Sequence, residues 1–195
     1  MKVITLVLLL SLAAPALADP QPWRRSITET DRKRLAGLWR AWTTARAQVA
    51  AAGQADAWTA QEPLTDPAAG TGGDAPPPGR YRCRTVKLGT RTAGMPVWTM
   101  SETYPCRVEQ VEDGLRFVRE GGAQRTAGLL HADGDRQVYL GAVSLGNERG
   151  LFAYNADAER NQVGVLRRLG AARWRLELPW PQWESTLDVI DIVPA

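Results

Sequence analysis

Few side chains in this chain of 195 residues can do chemistry, and their types set narrow limits on it. His131 is the single histidine, so sites that need two imidazole ligands are excluded and any Ser/His/Asp arrangement would rest on it alone. It ends the run Leu129-Leu130-His131 before Ala132-Asp133-Gly134, which is the setting of an ordinary strand-end histidine. Asp133-Gly134-Asp135 has the beginning of a calcium loop but lacks the later ligands and the bidentate glutamate, so it reads as a turn. Nucleophile elbows, phosphate-binding glycine loops and dinucleotide fingerprints are absent. A pair of acids of the glycosidase kind would have to come from Glu102, Glu177, Glu184, Asp188 and Asp191, each of which also suits an exposed strand edge or turn. Asp188 and Asp191 interrupt an apolar strand, and burial of both without a basic partner would argue for catalysis. The residues otherwise predict no enzyme, no cofactor and no metal site.

Where the chain is sent decides how its only two cysteines, Cys83 and Cys106, are read. Lys2, the apolar run Val3 to Leu12 and the small-x-small site Ala16-Leu17-Ala18 predict a signal peptide over 1–18, cleaved after Ala18. The run is too short to span a bilayer. No cysteine follows the cleavage site to take a lipid, and Arg24-Arg25 lies beyond the apolar run, where a twin-arginine signal cannot be. A periplasmic or secreted protein is expected, and in that setting Cys83 and Cys106 pair as a disulfide. A redox pair has its thiols two residues apart, and a zinc site needs two further ligands. The formal charge of +3, one less without Lys2, is too small for a dedicated nucleic-acid surface.

The elements that would position these groups follow from apolar periodicity. Segment 19–59 carries an amphipathic helix over about 29–52, with Leu35, Leu38, Trp39, Trp42 and Val49 on one stripe and Arg32, Arg34, Arg40 and Gln48 pointing elsewhere. Thr28 or Thr30 caps its start and Gly53 its end. Segment 60–78, with Pro63, Pro67, Pro76, Pro77 and Pro78 among glycines, is a surface loop or linker. From 79 to 195 the period becomes two, with strands expected near 80–88, 104–111, 115–120, 124–131, 136–145, 150–155, 163–169, 173–178 and 186–193. Between them stand hairpin-forming groups such as Glu112-Asp113-Gly114 and Gly170-Ala171-Ala172. So many twisted strands tend to close on themselves. The expected fold is mainly β: an antiparallel up-and-down barrel of about eight strands, calycin-like and similar to lipocalins or avidins in architecture, with a two-sheet sandwich as the alternative. The last strand is apolar on both faces, and the Trp39/Trp42 stripe is the candidate cover for its outer side.

All eight tryptophans fall after the leader. Trp180 and Trp183, on the turn Trp180-Pro181-Gln182-Trp183, are candidates for gripping a partner or a sugar, or else plug one barrel end. In Arg173-Trp174-Arg175, alternation sends Trp174 inward and both arginines outward.

Gly79-Arg80-Tyr81-Arg82-Cys83-Arg84, Lys87-Leu88-Gly89, the Pro105-Cys106 strand, Arg173-Trp174-Arg175-Leu176 and the closing run Leu187 to Ala195 resemble a family of exported alphaproteobacterial proteins known only as a domain of unknown function. Trp23-Arg24-Arg25 with the Asp31/Arg32 helix is similar too. The resemblance implies export, the cysteine pair and one domain, and carries no activity.

Two functions are compatible with such a barrel. The first is a carrier whose interior, lined by Tyr81, Leu115, Phe117, Tyr139 and Trp174, holds a small apolar or amphipathic molecule in an open cavity. The second is an interaction module, resembling in outline the small disulfide-bonded barrels that inhibit secreted proteases, which engages a periplasmic or envelope protein through Trp180 and Trp183 and has a filled interior.

Overall fold

A computed structural model describes residues 21–195, so the expected leader and its cleavage site lie outside the described residues. Four helices come first: α1 (Trp23–Ser26), α2 (Glu29–Ala36), α3 (Leu38–Ala51) and α4 (Ala55–Thr59). Nine strands follow: β1 (Gly79–Leu88), β2 (Trp98–Met100), β3 (Tyr104–Val111), β4 (Gly114–Arg119), β5 (Gln124–Asp133), β6 (Arg136–Leu145), β7 (Asn161–Gly170), β8 (Arg173–Pro179) and β9 (Leu187–Pro194). β1 and β3 to β9 form an antiparallel meander that closes through β1–β9 pairing, from Tyr81 opposite Pro194 to Leu88 opposite Leu187. The barrel of eight strands is therefore the architecture, and the sandwich is ruled out. β2 is additional: it pairs with the far end of β1, beyond the stretch of β1 that pairs with β3.

The expected helix over 29–52 is two helices. Gly37 leaves helical geometry (ψ 7°) and its carbonyl accepts from the Trp180 indole nitrogen, which fixes the bend between α2 and α3. Thr28 is the N-cap, accepting from the Asp31 amide, and Gly53 ends α3 with φ 72°. The bend resets the buried face to Leu38, Ala41, Trp42, Ala45 and Val49. Two alanines on that face let the helix approach Val86, Leu88, Leu187 and Val189 on the barrel's outer wall. Trp42 thus covers the last strand as expected, whereas Trp39 is turned to solvent and is 66% exposed. Arg34 and Gln48, expected on the outer face, instead attach helix to barrel. Arg34 is buried, donating to Asp31 and to the carbonyl of Asn161, and Gln48 bonds both the amide and the carbonyl of Thr90.

Segment 60–78 runs along the barrel and across its end. Thr71 bridges to Arg168, the Trp174 indole donates to the Asp74 carbonyl, and the Tyr81 hydroxyl donates to that of Pro77. That end, where the tight hairpins lie, is closed.

Residues 150–155, expected as a strand, form a loop. The Tyr154 hydroxyl donates to Asp31 and Asn155 takes a positive φ, so the segment is tied to α2 and cannot run extended along a neighbour. Burial and the Asp31 contact push the Tyr154 hydroxyl up to about 12.

Inward positions build one core: Cys83, Cys106, Phe117, Tyr139, Leu166, Trp174, Leu176 and Ile190 are among its buried members. Gly128 and Gly141 face inward on β5 and β6 because the Tyr139 ring lies over them and a β-carbon on either would collide with it.

Candidate functional site

The five expected lining residues, Tyr81, Leu115, Phe117, Tyr139 and Trp174, all belong to or pack against the inner core. They fill it with their own side chains. Tyr81 meets Trp174 edge-on at 6.0 Å and Phe117 meets Tyr139 at 6.4 Å. Cys83 and Cys106 are disulfide-bonded inside the same core, with Cα atoms 6.0 Å apart. The open apolar interior expected of the carrier is replaced by a packed one.

Polar groups gather at the opposite end of the barrel, where the strands present charged residues in the inward phase. Lys87 continues the phase of Tyr81 and Cys83, Arg119 that of Leu115 and Phe117, and Asp188 that of Ile190 and Ile192. Lys87 Nζ lies 2.7 Å from Glu184 Oε2, 3.0 Å from Gln124 Oε1 and 3.7 Å from Asp188 Oδ2. Asp188 also bonds the Ser185 hydroxyl. Burial raises the Asp188 carboxyl above its ordinary value of 3.8, with Lys87 opposing the shift. One layer below, the Tyr139 hydroxyl bonds Thr126, which also bonds Gln162. Burial raises the Tyr139 hydroxyl and keeps it protonated.

Arg119 is the unusual member. It is 7% exposed, stacks on Tyr104 at 4.8 Å and donates through Nη1 to the Gln124 carbonyl. No carboxylate forms an ion pair with it among the described residues, its Nε–H has no partner, and burial lowers its pKa. The hydroxyl of Thr85 is likewise buried without a partner. Both residues line a cavity of about 280 Å3 together with Lys87, Ser101, Tyr104 and Glu184. It opens where β1 passes from β3 to β2. The wall there is held by the Ser101 amide donating to the Thr85 carbonyl and the Thr85 amide donating to the Ser101 hydroxyl.

Along the barrel axis the same end is covered by the turn after β8. Trp183 lines the small space above Lys87 and Asp188 and stacks on Arg160 at 5.5 Å. Trp180 turns the other way, under the helices, with Arg40 over its ring. The two indoles therefore do not form one gripping surface. Trp183 remains 36% exposed at that end.

The acids separate in the same way. Asp191 lies on the outer face and is held by both nitrogens of Arg173, with Arg84 at 3.7 Å, while Asp188 points inward and has Lys87. Neither is buried without a basic partner, which was the condition for reading them as a catalytic pair. Glu177 is not at an exposed edge: it is buried beneath α3, bound by Arg175 and by the Trp42 indole. Glu102 is exposed, and Glu184 and Asp188 share Lys87 as their basic partner. Asp133 pairs with Arg24 and Arg136, as a turn residue rather than a calcium ligand. His131 sits half-buried on the outer wall, its pKa lowered by burial, with Asp113 as the only opposing charge. Among the described residues no group of three or more His, Cys, Asp or Glu could hold a metal ion.

Asp188 carries a pH dependence whose sign follows from its environment. The folded state holds this proton more tightly than the unfolded chain does. Stability is therefore fullest below the ordinary value and falls as pH rises from 3.8 through the raised folded value. Asp188→Asn is expected to flatten that part of the profile in urea titrations carried upward in pH from 3.8, and an unchanged slope would refute the assignment.

Fold and site together define a closed antiparallel eight-stranded barrel with a packed apolar floor, a charged mouth and a helical outer layer. A family described as a domain of unknown function, DUF4893, matches residues 23–192, and the chain belongs to it. No curated protein and no solved structure matches the chain.

Proposed function

We propose that this protein is a non-catalytic binding barrel, exported to the periplasm or beyond, that takes a small amphipathic molecule with an anionic head at its charged mouth. The observation that carries the reading is Arg119: a buried guanidinium with an unused donor that, among the described residues, is ion-paired to no carboxylate and feels Asp188 only at longer range, beside a cavity it shares with Lys87 and the unpaired Thr85 hydroxyl. Leaving a buried donor unmade costs free energy that a bound anionic oxygen would recover. Met100, Tyr104 and Ala123 supply apolar lining for the remainder of the ligand. Export is supported by the leader pattern of 1–18 and the disulfide, and no helix among the described residues is long and apolar enough to cross a membrane.

The test is native mass spectrometry of the full chain purified from its own periplasm, followed by titration with decanoate as an amphipathic probe. A bound small molecule or decanoate binding is expected, with affinity falling at least about tenfold in Arg119→Gln. Absence of both, or an Arg119→Gln protein that binds as the parent does, would overturn the proposal.

A further inference from the structure

A second cavity lies outside the barrel, about 470 Å3 between α2–α3 and the outer faces of β6 and β7, and shares no lining residue with the mouth. Four arginines line it with the single carboxylate of Glu177; Arg24 and Arg136 are paired with Asp133, which leaves Arg32 and Arg167 as the cations to consider. The Glu177 carboxylate is already engaged: Arg175 donates twice to one oxygen and the Trp42 indole to the other. Arg167 therefore has only Glu177 at 3.5 Å as a polar partner among the described residues, which leaves most of its donors open. Its stem is held in place across Gly70, where a β-carbon would come within 2.6 Å of its Cδ. Arg32, half exposed, is held by the Arg24 carbonyl and by Glu29 at 3.8 Å.

The rest of the lining is the indoles of Trp23, Trp39 and Trp42 with the aliphatic side chains of Leu35, Ala36, Leu38 and Pro67. Trp39 contributes a ring that is 66% exposed, and Trp23, although buried, has an indole N–H with no partner among the described residues. An inorganic ion would use neither the volume nor the flat rings, and a wholly apolar ligand would strip water from guanidinium groups without replacing it. We infer that this groove binds an acidic sugar ring. Its carboxylate would bridge Arg167 and Arg32, and its C–H face would lie on Trp39. This site is independent of the one at the barrel mouth.

Calorimetric and indole-fluorescence titration of the full chain with trigalacturonate at low salt tests the assignment, with neutral maltotriose as the comparison. Binding with a change in fluorescence is expected for the acidic trisaccharide alone. It should weaken about tenfold in Trp39→Ala and in Arg32→Gln, two exposed positions whose substitution leaves the fold intact. No binding of trigalacturonate, equal binding of maltotriose, or unchanged affinity in both variants would overturn it.

Discussion

Replacing Arg175 with alanine is expected to lower the unfolding free energy by about 3–5 kcal/mol, the cost of breaking a buried ion pair by removing one partner. Arg175 is fully buried between the barrel wall and the helical layer. Its Nη1 donates to the carbonyls of Pro63, Leu64 and Asp66, its Nε and Nη2 donate to Glu177, and its guanidinium lies 4.9 Å from the centre of the Trp42 ring. Removing it strands the Leu64 carbonyl, while those of Pro63 and Asp66 keep the amides of Asp66 and Ala69, and leaves Glu177 with the Trp42 indole and Arg167. Urea unfolding monitored by tryptophan fluorescence measures the loss. The double variant Arg175→Met/Glu177→Met should be less destabilised than the sum of its single variants, because each single change abandons a charge that the double change removes. A loss below about 1 kcal/mol for Arg175→Ala, or strict additivity, would show that the pair is not the tie between the layers.

The second large effect belongs to the disulfide. Cys83 and Cys106 stand on β1 and β3, 23 residues apart, and their bridge shortens the unfolded chain's accessible conformations. On the chain-entropy model a loop of this length is worth roughly 3 kcal/mol. The double variant Cys83→Ala/Cys106→Ala is expected to lose about that amount, plus a part for the space left beside the packed core. The parent protein measured with a reductant should show the entropic part alone. Equal midpoints for the oxidised and reduced protein would refute the role.

Much of the barrel was legible because its signals are local. The alternation of Tyr81 and Cys83, of Leu115 and Phe117, and of Trp174 and Leu176 places those residues inside, and the turn residues between strands set the meander. The errors share a cause: periodicity says which side of a strand a residue faces, not what covers that side. Arg175 faces outward as expected and is nevertheless fully buried, because α3 and residues 63–66 lie over it. Trp39 fits an unbroken helix but not one bent at Gly37, where the bend depends on Trp180, 143 residues further on. β2 is only three residues long, too short for a period to show, and 150–155 is held out of the sheet by a tyrosine bonded across to Asp31. The mouth was within reach. Lys87, Arg119 and Asp188 each extend an inward apolar phase with a charge, and three such interruptions toward one barrel end are a pattern a sequence can show.

The position of β2 makes the wall of this barrel divisible. The ring of staves is complete without β2, since β1 is bonded to β9 along one edge and to β3 along the other. The segment 89–103 is anchored at its start by Gln48, Pro181 and Glu184, and its later part is held by three residues of β1 and by the paired hydrogen bonds of Ser101 with Thr85. Parting β2 alone from β1 would uncover the flank beside Arg119 while every stave stayed joined to its neighbours.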